Sequence, residues 1–77
     1  MNKKEWLEDF VDNLKKFMEK KHINQTELAR QAHLSRMTIS RYLSCQQVPS
    51  AIALVNISYV FECDIEDLVW TYDLIEE

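Results

Sequence analysis

The chain has 77 residues, no glycine and a single proline. Without glycine there is no phosphate-cradling Gly loop and no nucleophile elbow, which removes the commonest nucleotide-binding and hydrolase signatures. Few helix breakers in a sequence that is 47% hydrophobic imply one folded, almost wholly helical domain over residues 1–77. A domain this small has only a marginally sufficient core. Its two cysteines and two histidines, Cys45, Cys63, His22 and His33, show no zinc-type spacing. No metal site and no cofactor are therefore expected, and no constellation of catalytic residues marks an enzyme. No apolar run approaches the length of a membrane span, and the charged N-terminus lacks a signal-peptide core. A cytoplasmic protein with reduced thiols and no membrane partner is the default.

Basic residues are missing from the second half. Nine bases against six acids give residues 1–44 a charge of +3, and seven acids without a base give residues 45–77 a charge of −7, for −4 in all. An acidic total is unusual for a nucleic-acid binder. The split answers much of that objection, because the first half can face phosphates while the second faces away.

From Asn2 to Lys21, Trp6, Leu7, Phe10, Val11, Leu14, Phe17 and Met18 recur at intervals of three and four, which predicts a long amphipathic helix. Lys15, Lys16, Lys20 and Lys21 crowd its later turns, where cations suit the helix dipole. They form a solvated face, with Lys15 a candidate phosphate contact. The stretch that follows, NQTELARQAHLSRMTISRYL from Asn24 to Leu43, organises the chain. It reads as two short helices joined by a tight turn. Asn24 caps the first, Gln25 to Ala32, with Glu27 positioned to reach back to it; Ser35 caps the second, Arg36 to about Ser44. Ile23 before Leu28 and Leu34 before Ile39 supply apolar staples at the two starts. Ile39 and Tyr42 should point inward, leaving Arg36, Met37, Ser40, Arg41 and Ser44 on the opposite face. A helix that reads DNA needs this layout, with apolar anchors behind and long donors in front.

The pattern N-Q-T-E-L-A-R-Q-A-x-L-S-x-x-T-I-S-R-Y-L, then V-P-S, then L-x-x-I-S-x-x-F-x-C-D-I-E-D-L, resembles the helix-turn-helix domain of the Cro and phage-repressor (Xre-type) regulators. The likeness runs from roughly Phe10 to Leu68, with several elements agreeing in order and spacing. It implies an all-α, compact five-helix lambda-repressor-like domain with its helix-turn-helix at about 25–44. It also implies a transcriptional regulator that acts by occupying a double-stranded DNA operator. The base-reading positions of the family fall on Arg36, Met37 and Arg41, with Thr38 and Ser40 able to reach a base or a phosphate. Gln25 matches a phosphate-binding position at a helix start, and Ser35, Ser44 and Gln46 are further phosphate candidates. Two departures stand out: His33 occupies the turn position that is usually glycine, and Cys45 the usual glycine after the recognition helix. His is among the few residues tolerated at positive φ.

Beyond Pro49, Ser50 should cap a fourth helix from Ala51 to Glu62 with Leu54, Ile57 and Phe61 as its core stripe. Ile52, Val55, Tyr59 and Val60 leave a second apolar face. Asp64, with Asp67 three residues on, should start a fifth helix, and the resemblance, which places a small apolar position at Cys63, implies that Cys63 is buried. The segment at 64–77 adds Val69, Trp70, Tyr72, Leu74 and Ile75. A homodimer joined through Tyr59, Val60, Trp70, Leu74 and Ile75 is expected, because one recognition helix reads too few base pairs to find a site in a genome. The rival expectation is a protein-interaction module, such as an antitoxin-like partner that retains the same fold.

Overall fold

The first helix shows why the rest assembles. In a computed structural model, which describes residues 3–69, α1 (Lys3–Lys21) buries Leu7, Phe10, Val11 and Leu14 along one stripe. Trp6, Phe17 and Met18 flank it, half-buried. Each fully buried Phe or Leu contributes roughly 1.5–3 kcal/mol relative to exposure. Three positions on this helix each hold a different partner. Phe10 packs edge-on to Tyr42 of α3 (Arg36–Leu43), with ring centroids 5.9 Å apart. Phe17 stacks on Phe61 of α4 (Ala51–Phe61) at 5.2 Å. Between them, Asn13 Nδ2 donates to the carbonyl of Leu68 in α5 (Ile65–Val69) at 2.8 Å. The remaining helix, α2 (Gln25–Gln31), packs on α3 and α4. The described residues contain these five helices and no strand.

Helix starts follow the sequence reading closely. Asn24 Oδ1 accepts from the Glu27 N–H at 2.8 Å, Ser35 Oγ from Thr38 at 3.0 Å, and Ser50 Oγ from Ala53 at 3.1 Å. Each such cap contributes about 1 kcal/mol. At α5 the carboxylate of Asp67 accepts from the Asp64 N–H at 3.0 Å. One expectation fails. Glu27 does not reach back to Asn24; its carboxylate turns forward to Arg30 and Gln31. A guanidinium one turn on is a charge-assisted partner and outcompetes a neutral backbone N–H.

Helix ends are less ordinary. Four non-glycine residues lie in the left-handed region: His22 (φ 60°), His33 (59°), Cys45 (61°) and Glu62 (55°). Each closes a Schellman motif. After α1, His22 N–H reaches Glu19 O and Ile23 N–H reaches Met18 O. After α2, His33 bonds Arg30 and Leu34 bonds Ala29. After α3, Cys45 bonds Tyr42 and Gln46 bonds Arg41, and after α4 Glu62 bonds Tyr59 and Cys63 bonds Ser58. The positive φ expected at His33 is present, and Cys45, at the other glycine-like position, adopts it too.

The core joins Leu28, Ala29 and Ala32 of the α2 region to Ile39 and Tyr42 of α3, and to Ala53, Ile57, Phe61 and Leu68. Leu54, expected in the stripe of α4, is half-buried, while Ala53 and Ser58 are buried. Ser58 fits because its hydroxyl donates to Val55 O at 2.7 Å. Cys63 corrects a second expectation: it is half-buried rather than buried, since the chain there is leaving α4 at the surface. That burial, with Asp67 and Asp64 nearby, still pushes its thiol pKa up.

Candidate nucleic-acid interface

The local sequence of α3 sorts its side chains by 100° steps. Ile39 and Tyr42 are buried, and burial pushes the Tyr42 phenol pKa up. Arg36, Met37, Ser40, Arg41 and Ser44 all lie on the exposed side. Met37 is 62% exposed, far from what a methionine serving the core would show. Leu43 is half-buried and packs against the core, so it does not interrupt the row. Neither Arg36 nor Arg41 joins an ion pair; among the described residues the pair runs between Arg30 and Glu27 on α2. The Glu27 carboxyl is held below the usual carboxylate range by hydrogen bonds from Arg30 and then Gln31. Both α3 guanidiniums are thus available as forks of donors.

The polar positions divide by where their protons go. Ser35 Oγ and Thr38 Oγ1 lie 2.8 Å apart and share one proton, leaving the pair one further hydroxyl donor at the start of α3. Thr38 is half-buried and Ser35 exposed. Ser44 is exposed, but its hydroxyl donates to Ser40 O at 3.0 Å, with Arg41 O at 3.3 Å. Its proton is therefore engaged inside the helix end. Gln25 is half-buried as the first residue of α2, Lys15 is exposed on α1, and Gln46 is exposed in the loop after α3.

Two helices meeting through a four-residue turn, the second presenting an unpaired cationic row, are the geometry of a helix-turn-helix. A family model for Cro/C1-type HTH DNA-binding domains matches residues 13–73. The chain belongs to this family. The match begins within α1 and runs past Leu68, so the Cro/C1-type domain takes in most of the chain. No curated protein and no solved structure matches it. As a member of a DNA-binding family it is expected to engage DNA through the helix-turn-helix. None of the described helices is long and apolar enough to cross a membrane.

Sequence reading missed one feature of this Cro/C1-type domain. Asn13 and Asn56 each tie one element to another, Asn56 Nδ2 donating to Ala32 O at 3.1 Å. The available signal was a short amide on the flank of an apolar stripe, where a solvated side chain would otherwise be expected. The second apolar face expected on α4 is present in Ile52 and Tyr59. Ile52 is 70% and Tyr59 77% exposed, and Val60, beside Tyr59, is half-buried against the core. Trp70, Leu74 and Ile75 lie outside the described residues.

Proposed function

We propose that this domain is a sequence-specific regulator that occupies a double-stranded DNA operator as a two-fold dimer in the cytoplasm. The observation that carries the reading is the unpaired row of Arg36, Met37, Ser40 and Arg41 on the exposed side of α3. Arg36 and Arg41 donate bidentately to guanine O6 and N7, and Met37 meets a thymine methyl. Phosphate contacts come from Gln25 at the α2 start, the Ser35–Thr38 hydroxyl pair, Gln46 and Lys15. Ser44 joins them only if its hydroxyl turns away from the Ser40 carbonyl.

The dimer would form through the outer face of α4. Ile52 and Tyr59 are exposed on the outer side of α4, with half-buried Val55 and Val60 beside Tyr59, and large exposed apolar residues favour a partner surface. Trp70, Leu74 and Ile75 extend the same proposal into the C-terminal segment. A two-fold pair would set the recognition helices about 34 Å apart, one turn of DNA.

The charge split provides a test. Binding should weaken steeply with salt, and each of Lys15→Ala, Lys16→Ala or Lys20→Ala that removes a phosphate contact should flatten the log–log salt slope by about 1. Neutralising Glu62, Asp64 or Glu66 in the acidic half should leave the slope nearly unchanged. A larger effect from those acids would overturn the proposed orientation on DNA.

A further inference from the structure

We infer that Asn56, on α4 and outside the DNA-facing row, is the positioning residue that fixes the pivot of the helix-turn-helix. The inference rests on the DNA-binding reading above and deepens it. The pivot is the peptide between Ala32 and His33, since α2 ends at one and the chain turns at the other. His33 holds φ 59°, a region that a residue with a Cβ enters only against steric resistance. The His33 N–H bond to Arg30 O is long, at 3.3 Å, and gives that peptide only loose support from its own helix. The opposite edge of the same peptide is the Ala32 carbonyl, on a residue with no exposed surface. Asn56 Nδ2 donates to that carbonyl at 3.1 Å.

The peptide is therefore held at both edges, once by its own helix and once by a different one. The equivalent peptides before His22, Cys45 and Glu62 have no side-chain partner among the described residues. The cap at His33 is the one that lies between the two helices of the helix-turn-helix, α2 and α3. A carbonyl free to swing would let His33 relax and tilt the row of Arg36, Met37 and Arg41 relative to Gln25. Bases and phosphates would then no longer be met together, while loose electrostatic binding would survive. Specificity, more than affinity for DNA in general, is what the amide protects.

The test compares the full chain with Asn56→Asp, which keeps the shape but loses the donor, and Asn56→Leu, which guards against an effect of the added charge. Each is measured on the best duplex selected by the wild-type chain and on a random duplex, at a temperature where melting shows all proteins folded. Both variants should lose about tenfold on the selected duplex, the size expected for one buried carbonyl left unpaired, and less than twofold on random DNA. In a His33→Gly background, where the left-handed turn carries no penalty, the loss should shrink to about threefold. Equal losses on both duplexes, or additive effects of the two positions, would overturn the inference and leave Asn56 a plain structural amide. A wild-type chain with no duplex preference would instead bring down the DNA-binding reading together with this one, whereas a preference that both variants keep would sink this one alone.

Discussion

Replacing Arg36 or Arg41 by alanine should weaken binding to the preferred operator by about 1–3 kcal/mol each, roughly 5- to 150-fold, with a much smaller loss on random DNA. The expectation follows from geometry. Both guanidiniums stand exposed on α3 without an ionic partner, while Ile39 and Tyr42 lock the helix from behind. A bidentate contact to guanine depends on the planar fork as well as on charge. Arg36→Lys and Arg41→Lys should therefore lose most of the operator preference yet keep the random-duplex affinity. Fluorescence anisotropy on matched operator and random duplexes measures both. Equal losses on the two would reassign these residues to phosphate contacts, which carry no sequence information.

The largest stability effect should come from adding what the sequence lacks. His22, His33, Cys45 and Glu62 all sit near φ 60° and all are exposed, so none of their side chains belongs to the core. Each glycine substitution should relieve about 0.5–1 kcal/mol, the steric cost of a Cβ in that region less the greater freedom of glycine in the unfolded chain. The four positions lie on separate helix ends and should add, giving about 2–4 kcal/mol. For a domain of this size that is a rise in melting temperature of roughly 8–32 °C. Calorimetry of the single and fourfold variants checks it. Uniformly lower melting temperatures would mean that these ends are not left-handed.

Much of the fold was legible because local signals and hydrophobic period agreed. Asn24, Ser35 and Ser50 each precede an apolar periodic run, and each caps a helix. The same logic separated the two sides of α3, since a 100° step leaves little choice once Ile39 and Tyr42 are inside. Two left-handed residues, His33 and Cys45, stood out by occupying positions where the family resemblance places glycine. His22 and Glu62 carry no such mark, because histidine and glutamate at a helix end read equally well as one more exposed turn. Glu27 misled for a related reason: a capping box and an i,i+3 ion pair share one spacing, and only three-dimensional competition chose Arg30. The amides of Asn13 and Asn56 reach 55 and 24 residues along the chain, distances at which a single sequence offers no pairing rule. The outer face of α4 was only partly readable. Its excess of apolar residues was plain, but the assignment of Val60 to the core side and Ile52 to solvent depends on how α4 rolls against its neighbours.

The most direct test of an operator-binding domain is to let the full chain select from a random duplex pool at physiological salt. The expected winners carry two inverted half-sites with guanines for Arg36 and Arg41, their centres about 10–10.5 base pairs apart. Their affinity should exceed that for random duplex by at least roughly a thousandfold. A folded chain that enriches no sequence under these conditions, or binds every duplex with the same salt-limited affinity, would contradict sequence-specific operator recognition and point to a protein as the partner of this fold.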